Sequence, residues 1–408
     1  MSAALQTRED PGWRLRLMAA SLVGLLALVG GINYVVNPYG AWRISLIERK
    51  HRLDALPIYT EASTEAAQRV AMAYRLRIDE PTTVLAGSSR VRAGMRMRQG
   101  YADGVFNAAV SGAALGEIDA ILGAALRGPR VRRVIWGLDF FAFDESYPLI
   151  RFPETLPRLG RHEAWPLQRA FLKVTDTLLS LQALEDSRKV LVRALGDESA
   201  EASPVPWPEP YLKQRLARLL PDLEPTWPVR FHDEHADIRK QMAYWIGRYP
   251  SYHLSAAALG SLRQTIAEIR AAEVEGIVFV PPTHECELAT IDLSGQWPAF
   301  QDWKRQILTV AGPYWDFSGY NRMNRNEHLF SDFLHFDPAV GHTILRFLLG
   351  YDCAECGDVA KMILDSAVWV DATTIDTHLE KQAADRARRA REPSRCRELA
   401  MEIARENL

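Results

Sequence analysis

Five short apolar runs, each followed by a polar loop, constrain the fold of this chain more than any other sequence feature. We predict a strand at each of them: Thr82–Ala86, Val105–Val110, Val131–Leu138, Gly276–Val280 and Tyr314–Phe317. Segments with helical periodicity, such as Ala113–Leu126 and Pro298–Val310, separate the runs. Strands that alternate with helices indicate a parallel sheet with helices on both faces. The predicted fold class is therefore α/β, a three-layer α/β/α sandwich with a mostly parallel sheet.

Near the N-terminus, Leu17–Val36 is a stretch of twenty residues without a charge. A helix of that length crosses a bilayer core of ~30 Å. The stretch is longer than the apolar region of a typical signal peptide, and no clear small-x-small cleavage site follows it. We predict an uncleaved transmembrane signal anchor with a cytoplasmic N-terminus, the alternative being a buried core helix. Basic residues flank the span on both sides, so the charge balance determines its orientation only weakly.

The strand and helix alternation stops between residues 145 and 253, where two predicted helical stretches, Glu163–Leu195 and Glu234–Gly247, surround a proline-rich segment. We interpret this region as a helical insertion or lid over the sheet. The predicted organisation has seven parts: a cytoplasmic N-terminus (1–16), the transmembrane signal anchor (17–36), a connector (37–80), the first part of the sheet domain (81–144), the insertion (145–253), the second part of the sheet domain (254–357) and a charged helical tail (358–408).

The composition of the 408 residues excludes several classes of protein. The chain is 48% hydrophobic and 25% charged, which excludes a wholly disordered, collagen-like or disulfide-dense chain. Its 49 basic and 51 acidic side chains give a net charge of -2, so we expect no nucleic-acid partner. A mean hydropathy of -0.16 excludes a polytopic membrane protein and leaves room for one local span.

The chain has four cysteines, and Cys353 and Cys356 have the CxxC spacing. A zinc site needs two more ligands, and the sequence has no second CxxC or HxxxH motif. A catalytic dithiol needs a thioredoxin-like strand-to-helix context, whereas this pair follows a helix. We therefore predict a structural disulfide between Cys353 and Cys356, in a compartment where disulfides persist.

Polar residues follow the predicted strands, at the edge where an open parallel sheet binds its ligands. They are Ser89, Arg90, Asn107, Gly112, Asp139 and His284, and Asp332 and His335 lie in a later loop before the last helix of the sheet domain. Acyl transfer by a serine requires a hydroxyl, a base and a carboxylate that holds the base in the right tautomer. Ser89, His335 and Asp332 supply these three groups.

This order of blocks resembles the SGNH, or GDSL-like, hydrolase superfamily, over roughly residues 82–140 and 255–350. The closest resemblance is to the membrane-anchored members associated with acyl modification of cell-surface polymers, such as the alginate O-acetylation and DltD-like proteins. It implies that Ser89 is the nucleophile, His335 the general base and Asp332 its orienting carboxylate. It also implies that the N–H of Gly112 helps to form the oxyanion hole and that Asn107 belongs to the same block.

Two positions depart from the family pattern. Ser88 replaces the usual aspartate before the nucleophile, as in the DltD-like variant, and Leu138 replaces the asparagine of the third block. Loss of one oxyanion donor typically lowers the rate by ~10²–10³. Two nearby residues have two interpretations each: His284 contacts substrate or is a loop histidine satisfied within the protein, and Arg90 binds an anionic group or pairs with a carboxylate such as Asp139.

The resemblance implies a bacterial inner-membrane protein, single-pass, with its main body in the periplasm. The expected activity is that of a serine esterase or O-acyltransferase on a cell-envelope polysaccharide or exopolysaccharide, with O-acetyl as the favoured group. No metal or organic cofactor is required by this mechanism. The implied partners are the membrane, the glycan and an integral membrane acyltransferase. The alternative is a catalytically degenerate glycan-binding or scaffold subunit of a polysaccharide modification or export complex.

Overall fold

The computed structural model describes residues 12–42, 64–95, 104–159, 166–195, 234–351 and 357–406. They divide into two compact units, one within residues 1–78 and 163–203 and the other within residues 79–162 and 204–408. The predicted disulfide between Cys353 and Cys356 lies outside the described residues. The site residues predicted from the sequence all belong to the second unit.

The described elements have the following bounds. The helices are α1 (Gly12–Val36), α2 (Glu65–Asp79), α3 (Ser89–Gly94), α4 (Leu115–Leu126), α5 (Leu156–Leu159), α6 (Pro166–Lys173), α7 (Leu181–Leu195), α8 (Glu234–Arg248), α9 (Ala256–Ala271), α10 (Glu285–Leu293), α11 (Trp297–Ala311), α12 (Pro338–Leu348), α13 (Gly357–Leu364), α14 (Ile375–Arg389) and α15 (Arg395–Glu406). The strands are β1 (Thr83–Ala86), β2 (Val105–Asn107), β3 (Arg133–Gly137), β4 (Glu275–Val280), β5 (Tyr314–Asp316) and β6 (Val368–Val370).

Helix α1 contains the uncharged stretch predicted to span a membrane, and it begins five residues earlier, at Gly12. The helix has 25 residues and is long and apolar enough to cross a membrane. Its buried residues are confined to one face near the C-terminal end, at Val29, Asn33 and Val36. The apolar side chains of the remaining turns are largely exposed, which is unlike the core helix of a soluble protein.

The six strands form one sheet in the order β2-β1-β3-β4-β5-β6. The first five pair in parallel, as the strand and helix alternation predicts, and Leu85 aligns with Ile135, which aligns with Ile277. Strand β6 pairs antiparallel with β5. It lies in the tail that we predicted to be helical, and its three residues are too few for a strand period to be read from the sequence.

One face of the sheet carries an apolar core around the segments of Ser89 and His335. Leu85, Ile135 and Phe279 from the strands belong to a buried cluster with side chains of α3, α12 and α13. Helix α3 follows β1, and α12 follows the loop that contains His335. The core therefore packs the two segments that carry Ser89 and His335 against the same face of the sheet.

A pair of glycines brings α3 and α12 into close contact. A Cβ atom built on Gly341 would overlap the carbonyl oxygen of Gly94, and one built on Gly94 would overlap the ring of Phe336. Any larger residue at position 341 would push α12 away from α3, and one at position 94 would displace the ring of Phe336, just before α12. The short side chains thus set the separation between the turn of Ser89 and the loop of His335.

The C-terminal tail is fastened to α10 by ion pairs and by a disulfide bond. Cys286 on α10 is bonded to Cys396 on α15, a pairing that the sequence left unassigned. Asp292 pairs with Arg386 and Arg397, at 2.6 and 2.7 Å, while Arg389 pairs with Glu285 at 2.6 Å. Among the described residues, the tail therefore contacts the outer side of the helix that follows β4.

The predicted insertion does not behave as one body. Its residues 166–195 belong to the first compact unit, whereas 234–253 belong to the second. The long helix predicted over residues 163–195 is interrupted by a π-helical segment, Val174–Leu178. Hydroxyl groups explain the interruption, because Thr177 donates to the carbonyl of Lys173 and Thr175 to that of Phe171. Such bonds from a side chain back to the preceding turn distort a helix.

Candidate active site

The turn after β1 presents Ser89 at the carboxyl end of the sheet. Gly87 has φ +149°, and a Cβ atom there would lie 2.6 Å from Cγ2 of Val91, so the turn requires glycine. Ser88 caps α3, since its Oγ accepts a hydrogen bond of 3.2 Å from the N–H of Arg90. Ser89 is the first residue of the helix and is half-buried. The cap by Ser88 leaves the hydroxyl of Ser89 for the opposing loop.

That loop is closed by an isolated bridge between Phe330 and Phe336. Within it, Oδ1 of Asp332 accepts hydrogen bonds from the N–H groups of Leu334, at 2.7 Å, and His335, at 2.9 Å. An aspartate that binds the backbone two and three residues onward holds a tight turn. The three-residue spacing thereby places both side chains, Asp332 and His335, on one side of the loop.

Ser89, His335 and Asp332 form a continuous chain of hydrogen bonds. His335 Nε2 lies 2.8 Å from Oγ of Ser89, and His335 Nδ1 lies 2.7 Å from Oδ2 of Asp332. The side chain of His335 is 22% exposed and that of Asp332 36% exposed. Residues 246 positions apart thus meet at a place that solvent and a bound molecule can reach.

The carboxylate of Asp332 orients the imidazole ring of His335. Burial would raise the pKa of Asp332, but hydrogen bonds from the His335 ring and from the backbone N–H groups of Leu334 and His335 hold that pKa below its usual value. The ionised carboxylate accepts the Nδ1–H of the imidazole. The other nitrogen, Nε2, is then the acceptor that faces the hydroxyl of Ser89, which is the arrangement that general-base catalysis requires.

The three residues lie at the point where the topology of the sheet reverses. Strands β1 and β3 are neighbours in the sheet. After β1 the chain continues to β2 on one side of this pair, and after β3 it continues to β4 on the opposite side. In open α/β sheets, the crevice outside the carboxyl ends of two such strands is the usual ligand site. Ser89 follows β1 and Asp139 follows β3, so this crevice contains the predicted site residues.

Arg90 joins the two sides of that crevice through buried ion pairs. Its Nε lies 3.1 Å from Oδ1 of Asp139, and its Nη2 pairs with Oε2 of Glu287 on α10. All three side chains are buried. Burial would lower the pKa of Arg90, but Glu287 and Asp139 outweigh it and raise that pKa. Arg90 therefore stays charged, and the structure places it in the ion pair with Asp139 that the sequence allowed.

Asn107 is the last residue of β2, and Gly112 lies in the loop after it, beside the turn that carries Ser89. The carbonyl of Gly112 accepts hydrogen bonds from Tyr147 Oη and Arg151 Nη1, at 2.8 and 3.0 Å. The amide of Asn107 donates to the carbonyls of Val91 and Met95, at 3.1 and 3.0 Å, and so ties down the end of α3. Both amide hydrogens of Asn107 are thus engaged by the backbone in this conformation.

Backbone groups, rather than side chains, offer the donors for an oxyanion. Leu138, where the SGNH pattern has an asparagine, is buried and has no donor in its side chain. Within the described residues, no hydrogen bond engages the N–H of Ser89 or that of Gly112. The first N–H groups of a helix have no partner within it, which accounts for Ser89.

His284 is the N-terminal cap of α10 and is buried. Its Nδ1 accepts a hydrogen bond of 3.1 Å from the N–H of Cys286, and its ring lies edge-on to Phe330. Burial lowers the pKa of His284 to about 4, against the opposing effect of Glu285 and Asp332. The imidazole is therefore neutral near pH 7. The cap formed by His284 holds the first turn of α10, which also carries Glu287.

Two features of the structure have no sequence pattern that predicts them. One is Glu287, for which the only signal is its place three residues after His284, behind an apolar strand. The other feature is a buried network at the end of β5, in which Lys304 Nζ and His378 Nε2 each lie 2.8 Å from Oδ2 of Asp316. Ser318 and Gln382 complete its hydrogen bonds, so the network attaches α14 to the sheet.

Comparison of the chain with protein-family models, with curated proteins and with solved structures finds no match.

Proposed function

We propose that this protein is a membrane-anchored, SGNH-like serine esterase or O-acyltransferase that acts on a carbohydrate of the cell envelope or on an exopolysaccharide. The observation that carries the proposal is the hydrogen-bonded chain from Ser89 through His335 to Asp332. It provides a nucleophile, a base and an orienting carboxylate at the ligand edge of an α/β sheet. O-acetyl is the proposed acyl group.

The first half-reaction acylates the enzyme. Oγ of Ser89 attacks the carbonyl carbon of a bound ester, and the hydroxyl proton passes to Nε2 of His335. The tetrahedral intermediate collapses, the ester C–O bond breaks, and the leaving alcohol takes the proton from His335. Asp332 retains the hydrogen bond to Nδ1–H and stabilises the imidazolium while it exists. The products are acyl-Ser89 and a free alcohol.

The second half-reaction determines whether the enzyme is an esterase or a transferase. Water or a sugar hydroxyl attacks the carbonyl of acyl-Ser89, while Nε2 of His335 accepts its proton. The bond to Oγ of Ser89 then breaks, and Ser89 recovers the proton from His335. Water yields a carboxylic acid, and a sugar hydroxyl yields an O-acylated carbohydrate.

The oxyanion of both tetrahedral intermediates is assigned to backbone donors. The N–H groups of Ser89 and Gly112 belong to the segments that follow β1 and β2, and these segments are joined by the bond from the N–H of Val110 to the carbonyl of Gly87, at 3.2 Å. Arg92 on α3 adds a hydrogen bond of 3.0 Å to Oγ of Ser111. These bonds keep the two donor groups in a fixed relation, as oxyanion stabilisation requires.

The three-layer α/β/α sandwich is part of the proposal. Support comes from helices α3, α12 and α13, which pack in the buried cluster on one face of the sheet. Further support comes from α9, whose Thr265 donates a buried hydrogen bond of 2.8 Å to Asp119 on α4. The nucleophile after the first strand and the Asp-x-x-His before α12 agree with the order of an SGNH-like fold.

The proposed location is a bacterial inner membrane, with a single pass through α1 and the main body in the periplasm. Support for the anchor is the length and exposed apolar surface of α1. Support for an oxidising compartment is the disulfide between Cys286 and Cys396, since such bonds are rare in cytosolic proteins. The proposed partners are the bilayer, the glycan and an integral membrane acyltransferase that supplies acyl groups.

The proposal is tested with a fluorophosphonate probe on the full-length chain in detergent. We expect one covalent adduct, located at Ser89 by mass spectrometry and absent from Ser89→Ala and His335→Ala. The matched control Ser88→Gly retains a residue suited to the helix cap and should keep the adduct at Ser89. A folded wild-type protein that forms no adduct would contradict an activated serine.

A non-catalytic glycan-binding or scaffold subunit is the second candidate. The observations that favour it are Leu138 at the position of the family asparagine and the engagement of both amide hydrogens of Asn107 by the backbone. Binding of O-acetylated and de-acetylated glycans to wild type and Ser89→Ala separates the two functions. A binding subunit gives equal affinities and no release of acetate, whereas an esterase releases acetate only with Ser89 present.

A further inference from the structure

The last two turns of α1 are covered on one side by the segment around α7. Asn33, a polar residue within the apolar stretch, is buried there. Its amide donates to the carbonyls of Leu178 and Ser180, at 2.9 and 3.1 Å, and its oxygen accepts from the hydroxyl of Ser187, at 2.9 Å. The hydrogen bonds of Asn33 therefore fix the turn before α7 beside the apolar helix.

The depth of this turn along α1 follows from the helix geometry. Asn33 lies three residues before the end of α1 and Gly30 six residues before it, which corresponds to about 4.5 and 9 Å at 1.5 Å per residue. A Cβ atom on Gly30 would lie 3.7 Å from the side chain of Leu179. The turn thus reaches back along the apolar stretch, past the end of α1.

Large apolar side chains on this segment are exposed. Leu181 begins α7 and is 75% exposed, while Leu167 and Phe171 on α6 are 81% and 66% exposed. Residues four apart share one face of a helix, so Leu167 and Phe171 project together. Leu179, between the two helices, is 40% exposed, and we name these four residues the juxtamembrane surface: Leu167, Phe171, Leu179 and Leu181. Apolar groups exposed together mark an interaction site.

Aromatic and basic groups lie beside the end of α1. The ring of Tyr34, which is half exposed, lies 5.9 Å from that of Trp42. Nζ of Lys173, at the end of α6, lies 3.9 Å from the centre of the Trp42 ring. Tyrosine, tryptophan and lysine are enriched where a membrane helix leaves the hydrocarbon region. These residues indicate the level of the bilayer surface.

We infer that the juxtamembrane surface is immersed in the headgroup and acyl boundary of the bilayer that α1 crosses, so that lipid acyl chains cover Leu167, Phe171, Leu179 and Leu181. The inference rests on the membrane anchor of the proposed function. It commits to lipid because the turn that carries Leu179 and leads into Leu181 is bonded to Asn33 and lies beside Gly30, within the apolar stretch of α1. The first unit then binds the membrane by a helix that spans it and by a surface that lies in it.

The experiment uses the full-length chain in phosphatidylcholine nanodiscs, with a fluorescent amino acid encoded at one position at a time. Positions 171 and 181 test the surface, and position 22, within α1, reports on the span. The matched controls are position 188, exposed on the same helix α7, and position 244, exposed on α8 of the second unit. Lipids with a doxyl quencher near the headgroup or deep in the acyl chain are added in turn.

We expect at least twofold quenching at positions 171 and 181 with the shallow quencher, stronger quenching at 22 with the deep one, and little at 188 and 244. Absence of quenching at 22 would overturn the anchor itself. A second outcome would overturn this inference alone: position 22 is quenched, but quenching at positions 171 and 181 is no greater than at position 244. In that case, a doubled protein mass per nanodisc would assign the surface to a second copy.

Discussion

Arg90 and Glu287 lie 197 residues apart in the chain and form a buried ion pair beside the turn that carries Ser89. Arg90 follows Ser89 directly, and Glu287 lies on α10. The other side of α10 is held by the tail through Asp292 and the disulfide of Cys286. A continuous series of contacts therefore links the C-terminal helices to the residue that we propose as the nucleophile.

The substitution Glu287→Gln tests this link. A neutral amide cannot balance the charge of Arg90, and loss of one partner of a buried ion pair typically costs about 3–5 kcal/mol. Because Arg90 adjoins Ser89, we expect the rate of fluorophosphonate labelling to fall about tenfold or more. Labelling is followed by mass spectrometry at fixed probe concentration, with the fold monitored by circular dichroism.

The matched control is Asp292→Asn, on the same helix but paired with the tail arginines Arg386 and Arg397. We expect it to lower the temperature of unfolding without changing the labelling rate of the folded protein. Equal labelling of Glu287→Gln and wild type would show that the ion pair does not position Ser89.

Gly341→Ala tests whether the contact of α3 and α12 sets the distance between Ser89 and His335. The added methyl group would overlap the carbonyl oxygen of Gly94, so the helices must separate. Overpacking of this kind costs about 1–3 kcal/mol. We expect a lower unfolding temperature and slower labelling of Ser89, because the bond of 2.8 Å to His335 Nε2 is lengthened.

Gly260→Ala provides the comparison for that variant. Gly260 lies within α9, and a Cβ atom there has no neighbour within 4 Å. Replacement of a helical glycine by alanine in open space stabilises by roughly 0.5–1 kcal/mol. Gly260→Ala should therefore raise the unfolding temperature and leave labelling unchanged. If Gly341→Ala behaved in the same way, the close contact would not constrain the site.

The parallel strands were predictable because their apolar runs are short, buried and bounded by glycine or polar loops. The segment from Thr83 to Ala86 shows this, since every residue in it is buried. The grouping of Ser89, Asp332 and His335 was expected because their order along the chain resembles the SGNH blocks and because the carboxyl ends of parallel strands share an edge. The hydrogen bond between Asp332 and His335 follows from a local turn, whereas that between His335 and Ser89 joins residues 246 positions apart.

Long-range polar partners were not predictable from one sequence. Glu287 carries no pattern that selects Arg90 among the basic residues, and the pairing of Cys286 with Cys396 spans 110 residues. The break in the predicted helix at Val174–Leu178 arises from threonine hydroxyls that compete for backbone carbonyls. The ion pair, the disulfide and the helix break all depend on three-dimensional packing. Hydrophobic periodicity carries no information about that packing.

The double variant Cys286→Ser/Cys396→Ser tests the tail attachment. The disulfide closes a loop of 110 residues, and in the chain-entropy model such a bond contributes about 5 kcal/mol. We expect the free energy of unfolding in urea to fall by roughly 2–5 kcal/mol. The double variant Cys353→Ser/Cys356→Ser is the control, because a loop so short contributes no more than ~2 kcal/mol. If both double variants lost the same free energy of unfolding, the length of the closed loop would not determine the stabilisation.

The buried cap His284 predicts a loss of stability in acid. Burial lowers the pKa of His284 to about 4, whereas the unfolded chain has the ordinary value of ~6.5. Between these values the unfolded state binds the proton and the folded state does not, so stability falls as the pH falls from 6.5 to 4. At 1.36 kcal/mol per pKa unit, His284 should account for about 3 kcal/mol of that loss.

The variant His284→Asn tests this prediction, because asparagine is suited to the cap and cannot titrate. We expect its free energy of unfolding to lose about 3 kcal/mol less than wild type over this range, and identical losses would show that His284 is protonated in the folded state.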